Sequence, residues 1–240
     1  MVKKACCQWL FIWSAQEKDV VALKNDLKAQ HKDANIVIIS SWGALEVYIT
    51  APKDDVVASI VRSFVESFQP QCCLSSSGRI EVDIHDYMRH HGLTLSLAES
   101  CTGGAIARQL VSVPGCSEYL LGGVVAYSNA LKKTLLGVSS ETLEQFGAVS
   151  EPVANEMVQG VITRCHSDWG VAVSGIAGPE GEAPQKPVGT VVIAVACRGK
   201  KSFLQTLHLS GDRETIIQST AHLALLELFR ILNGLYGNSG

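Results

Sequence analysis

The residues best suited to chemistry lie in three turns rich in Ser and Gly, each following an apolar stretch: Ala98–Gly104 (AESCTGG), the segment 122–133 (GGVVAYSNALKK) and the segment 171–181 (VAVSGIAGPEG). A serine hydroxyl becomes a nucleophile when a neighbouring base takes its proton, and free N–H groups where a strand turns into a helix can hold an anion or a developing oxyanion. No histidine stands near these turns in a triad-like arrangement. Lys132, after Tyr127-Ser128-Asn129 and among Leu131, Leu135 and Leu136, is the best candidate base. A lysine does this work only if burial or nearby positive charge lowers its pKa from about 10.4 toward neutrality. Its apolar neighbours make partial burial plausible, whereas Lys133 is expected to be solvated.

Each of these residues also has a plainer reading. Ser100 could simply cap the following helix, and Ser117, in Pro-Gly-Cys-Ser-Glu-Tyr, could cap another. Lys132 could be a surface lysine, Tyr127 a core residue, and Ser174-Gly175 a turn needed for close packing. Arg213, in Ser-Gly-Asp-Arg-Glu, could be a solvated residue at a helix start, although arginine in a Gly turn can hold phosphate. The P-loop, the G-x-S-x-G elbow and a G-x-G-x-x-G after a strand are all absent from the sequence. The residues alone therefore lead to a ligand-binding α/β domain, with serine hydrolase chemistry as one option.

The elements that must carry these turns follow from hydrophobic spacing. In the first part, strands are expected at Gln8–Ser14, Ile36–Ser40 and Ala44–Ile49, the last two joined by a Ser41-Trp42-Gly43 turn. Helices are expected at Ala15–Gln30 and Asp54–Phe68. Pro70 to Gly78 (PQCCLSSSG) has linker composition, so residues 1–75 are set apart as a small α+β domain. In the remainder, 76–240, strands at 93–98, 122–127, 169–173, 190–197 and 202–209 alternate with helices at 80–91, 103–112, 129–136 and 139–146, a long one from Ser150, and a last one capped by Asp212 or Ser210. That pattern gives a three-layer α/β/α domain with a mixed sheet, and open sheets bind ligands at the carboxyl ends of their strands.

Bulk properties exclude several classes. With 240 residues, 47% hydrophobic and 18% charged, the chain can bury a core, and a net charge of −3 gives no pull toward nucleic acid or membrane. Apolar runs fall short of the roughly 20 residues needed to cross a bilayer. The basic, briefly apolar start lacks a small-residue cleavage site, so a cytoplasmic protein beginning with a strand is expected. Eight scattered cysteines without a C-x-x-C read as reduced thiols, with no metal expected.

Six motifs in order, AESCTGG (98–104), GGVVAYSNALKKTLLGV (122–138), GAVSEPVANEM (147–157), SGIAGPEG (174–181), KPVGTV (186–191) and LSGDRETI (209–216), resemble the C-terminal nicotinamide-nucleotide amidohydrolase domain of the competence/damage-inducible protein A (CinA) family. The resemblance covers roughly residues 78–233. It implies hydrolysis of the carboxamide of nicotinamide mononucleotide to nicotinic acid mononucleotide and ammonia by a Ser/Lys mechanism, with no cofactor or metal. Carried over motif by motif, Lys132 and Tyr127 match catalytic positions, and both Ser100 and Ser117 match family serines, which leaves the nucleophile open between them. Thr102, Gly103, Gly104, Ser174, Gly175, Gly178 and Arg213 match positions expected around the substrate. A homodimer or higher homo-oligomer is implied. A non-catalytic nucleotide-binding module of the same fold is the alternative. Residues 1–75 resemble the KH-like middle segment of full-length members. They lack a G-x-x-G loop and balance eight Lys/Arg against eight Asp/Glu, so no nucleic-acid partner is expected.

Overall fold

A computed structural model describes residues 6–183 and 185–234. The basic start discussed above, Met1–Ala5, lies outside them. The chain divides into two compact units. One holds the described residues through Asp83 together with those from Phe229 on, and the other is Ile84–Leu228. The division thus falls inside a helix, some residues beyond the 75/76 boundary expected from composition.

The first unit runs β1 (Cys6–Trp13), α1 (Glu17–Gln30), β2 (Asn35–Ser41), β3 (Ala44–Ala51), α2 (Asp54–Phe68) and β4 (Cys72–Ser75). Its sheet is antiparallel throughout, in the order β2-β3-β1-β4. Val20 and Leu27 of α1 and Val57, Ile60 and Phe64 of α2 pack on Leu10, Ile12, Val47 and Ile49 of the strands, the 3.6-residue pattern meeting the 2-residue pattern. The linker reading of Pro70–Gly78 is corrected here. Cys72–Ser75 is an edge strand paired with Trp9–Ile12, and both Cys72 and Cys73 are buried. The serines that gave the segment its linker composition are ligands of one carboxylate. Asp83, itself buried, accepts from the hydroxyls of Ser75 and Ser76 and from the N–H groups of Ser76 and Ser77.

The chain continues through α3 (Ile80–His91), β5 (Leu95–Glu99), α4 (Ala105–Val111), a 3-10 turn (Cys116–Glu118), β6 (Leu120–Val125), α5 (Asn129–Leu136), α6 (Ser140–Phe146), α7 (Glu151–Cys165), β7 (Trp169–Gly175), β8 (Thr190–Cys197), β9 (Phe203–His208) and α8 (Arg213–Leu232). The five strands lie in the order β6-β5-β7-β8-β9. β5 is parallel to β6 and β7, while β8 is antiparallel to β7 and β9, so the sheet is mixed. Ala98, Ala172, Val192, Ala194 and Ala196 face Val153, Met157, Val158 and Val161 of α7. The small side chains on this face let the helix lie close to the sheet. On the other face Val191 packs with Ile216 of α8, completing the three layers. α8 is long and apolar enough to cross a membrane, yet 78% of its apolar window is buried in the protein.

Two packing details place α5, which carries Lys132. A Cβ at Gly160 of α7 would overlap the Leu136 carbonyl, so only glycine lets α7 approach the end of α5. Ser128 caps α5 by accepting from the Leu131 N–H at 3.2 Å, and Gly137 ends it in the left-handed region.

Candidate active site

β5 and β7 are adjacent and parallel, so Ser100 and Ser174 come to the same, carboxyl end of the sheet. α5 crosses that end just after β6. Around it lies a cleft of about 280 Å³ whose lining includes Ser100, Cys101, Tyr127, Lys132, Ser174 and Arg213. Gly175 and Gly178 also line it, together with Asn129, Ala148, Val149 and Glu180, which sequence reasoning did not single out.

The central contact is between Lys132 and Ser100. Lys132 is 2% exposed, and its Nζ lies 2.9 Å from Ser100 Oγ while donating to the Ala126 carbonyl at 2.9 Å. The plainer readings fail at both residues. Ser100 does not cap α4, whose N-cap is Gly104 without a side-chain bond, and Lys132 is not a surface lysine. Burial holds the Lys132 pKa below that of an ordinary lysine, because the ammonium gives up hydration that two oxygen ligands only partly replace. Lys133, one residue on, is exposed. Cys101 is also buried, and that burial pushes its thiol up to about 12, so it stays protonated beside the serine and is no competing nucleophile at neutral pH. A Cβ at Gly175 would come within 3.0 Å of Cys101 Sγ and 2.6 Å of Val191 Cγ1, so the turn after Ser174 needs glycine.

The turn after Ser100 differs from expectation. Thr102 is buried, and neither it nor Gly103 nor Gly104 lines the cleft. The N–H groups expected to hold an anion already hold one. Glu99, 2% exposed, accepts from Thr102 Oγ1 at 2.7 Å, Gly104 N at 2.9 Å, Ile106 N at 3.2 Å and Ala107 N at 2.9 Å. The chain's own carboxylate thus occupies the anion position at the start of α4. Sequence reasoning ended the strand at Ala98 and gave Glu99 no role beyond opening the turn, whereas it is the last residue of β5. The available signal was a carboxylate placed directly before a strand-to-helix turn.

The structure does not bring Ser117 to this cleft. This serine is exposed in the 3-10 turn before β6. In the parallel β5–β6 pair Leu95 lies beside Leu120 and Glu99 beside Val125, so Ser117 precedes the amino end of β6 while Ser100 follows the carboxyl end of β5. One strand length, roughly 15–20 Å, separates those ends.

At the mouth, Arg213 spans the cleft. Its Nη1 donates to the Gly178 carbonyl at 2.6 Å and its Nη2 to Tyr127 Oη at 2.9 Å. Tyr127 is 60% exposed and so is not a core residue. Ser174 is 1% exposed and donates to the Ala148 carbonyl at 2.8 Å, tying the end of β7 to the segment before α7.

The part of the chain that carries this cleft is similar to known proteins. Residues 77–232 match the family model described as the CinA C-terminal domain. A CinA-like protein of Gloeothece citriformis is 53% identical over 147 residues, covering 60% of this chain and 35% of its own length. One from Syntrophotalea carbinolica is 49% identical over 145 residues, covering 60% and 35%. The chain thus spans about a third of the length of these curated relatives. Among solved structures, a competence/damage inducible protein from Agrobacterium tumefaciens is 39% identical with a TM-score of 0.62, covering 64% of this chain and 93% of that one. A competence or damage-inducible protein from Enterobacter asburiae is 35% identical with a TM-score of 0.62, covering 64% and 96%. The chain, through its Ser100–Lys132 domain, belongs to the CinA C-terminal domain family.

Proposed function

We propose that this chain hydrolyses the carboxamide of nicotinamide mononucleotide, giving nicotinic acid mononucleotide and ammonia. The observation that carries the reading is the buried Lys132 Nζ at 2.9 Å from Ser100 Oγ, on the wall of a cleft. Neutral Lys132 takes the Ser100 proton as Oγ bonds to the carboxamide carbon. Collapse of the tetrahedral intermediate breaks the C–N bond, and the proton held on Nζ leaves with the nitrogen as ammonia. Water then attacks the Ser100 ester. Lys132 takes the water's proton and returns it to Oγ, so the acid is released and the enzyme is restored. Oxyanion donors at the start of α4 are spent on Glu99, which leaves this role to groups that line the cleft.

Arg213 is assigned to the substrate phosphate. It is exposed at the mouth, and a guanidinium has five N–H donors, so the two bonds it makes leave others for a ligand. The experiment is ammonia release from nicotinamide mononucleotide, from its riboside and from nicotinamide by the purified chain. Turnover that is strongest on the mononucleotide supports the reading. Tight binding of the mononucleotide with no ammonia would replace it with the non-catalytic binding module.

A further inference from the structure

We infer that Glu99 is a positioning residue for Ser100: its buried carboxylate fixes the turn that aims Oγ at Lys132. The inference rests on the Ser/Lys reading above and adds a residue outside the cleft lining. Three facts carry it. First, all four donors to Glu99 belong to Thr102–Ala107, the turn and helix start that follow Ser100, so one side chain holds that whole loop. Second, its backbone is anchored in the sheet. Its carbonyl accepts from Ala126 N at 2.8 Å, and Ser100 N donates to the Val173 carbonyl at 3.1 Å. Third, the same Ala126 offers its carbonyl to Lys132 Nζ. Glu99, Ala126, Lys132 and Ser100 thus close a ring of three hydrogen bonds and one peptide link, and the turn held by the Glu99 side chain joins it at Ser100, whose carbonyl accepts from Gly103 N at 3.1 Å. A buried carboxylate with four donors is well compensated, and withdrawing it would leave Thr102 Oγ1 and three N–H groups unpaired.

The test uses Glu99→Asp, which keeps the charge but draws the carboxylate back by one methylene. Cys101, Tyr127, Glu180 and Arg213, the titratable groups that share the cleft with Lys132, are unchanged in it. Two quantities are compared with the wild-type chain: kcat and KM for ammonia release, and the Lys132 titration midpoint, read without substrate from the ¹³Cε resonance of labelled lysine. The expected result is a kcat lower by about 10- to 100-fold with KM within about twofold, the size of loss that small misplacements of reacting groups produce. The Lys132 midpoint should also rise toward that of an ordinary lysine, as the Ser100 hydroxyl withdraws and water enters. An unmoved midpoint overturns the inference whatever kcat does, because a loss of folded protein alone leaves the surviving sites unaltered. Should Glu99→Asp not fold, Glu99→Gln is titrated instead. Removing that negative charge would by itself lower the Lys132 midpoint, so a rise supports positioning, and a fall or no change overturns it. If the wild-type chain releases no ammonia from the mononucleotide, the substrate reading fails while the titration still decides the role of Glu99.

Discussion

The two ends of the β5–β6 pair look alike in sequence and differ in structure. Both carry a serine in a turn with glycine, Ser100 after β5 and Ser117 before β6. At the carboxyl end, Ser100 meets a buried lysine, a carboxylate-braced turn and a cleft. At the amino end, Ser117 is exposed and does not line that cleft. A parallel sheet sends every chain on from its carboxyl end into a loop, so loops from β5, β6 and β7 converge there and build one site. Serine in a Gly turn is therefore a weak signal by itself. Which end of which strand the turn occupies makes it strong.

The comparison is broken most sharply at the lysine pair. Lys132→Met, which keeps the length of the side chain without its amine, is expected to lower kcat for ammonia release by about 10²–10⁴-fold, the usual scale for loss of a general base. Lys133→Met should stay near wild type. Equal losses in both would remove the distinction between the buried and the exposed lysine.

At the mouth of the same cleft the expected effect is smaller. Arg213→Ala should raise KM for the mononucleotide by about 10- to 150-fold, the equivalent of about 1.5–3 kcal/mol for a charge-assisted contact. Activity on the riboside, which has no phosphate, should change little. A parallel fall on both substrates would assign Arg213 to holding Tyr127 and the Gly178 carbonyl in place.

The pH dependence sharpens the account of the base. Lys132 must be neutral to act, so kcat/KM should rise with pH, with a midpoint below the 10.5 of an ordinary lysine because burial lowers it. A limb centred at that ordinary value would mean that the amine is solvated in the working enzyme. The smallest effect is on stability. Between the lowered folded-state pKa and 10.5 the unfolded chain binds one proton more than the folded chain at this residue, so wild-type stability gains with rising pH in that window and loses as pH falls through it. Lys132→Met has no such titration. The difference in Tm between wild type and variant should therefore shift in favour of wild type as pH rises, and a constant difference would contradict a buried, shifted lysine.

Much of the fold was legible because its signals are local. The helix at Asp54–Phe68 and the Ser41–Ala44 turn follow from periodicity and from Gly43, and the helix at Ile80–His91 ends where Gly92 follows it. β4 was hidden, since four residues ending in the first of three serines cannot show a period, and its partner strand β1 lies about sixty residues away. In the site, the spacing of Tyr127 and Lys132 on a strand end and a helix start was readable. The 2.9 Å meeting of Lys132 with Ser100, 32 residues apart, is a product of the sheet order. Glu99 escaped notice for a related reason: its role lies in side-chain bonds to N–H groups five to eight positions further on, which no residue-type pattern records.

The most direct test sets the two serines side by side. Ser100→Ala and Ser117→Ala are assayed for ammonia release from nicotinamide mononucleotide under identical conditions, with folding checked by circular dichroism. Ser100→Ala is expected to fall to background and Ser117→Ala to match wild type. Full activity in Ser100→Ala, or its loss in a folded Ser117→Ala, would contradict it.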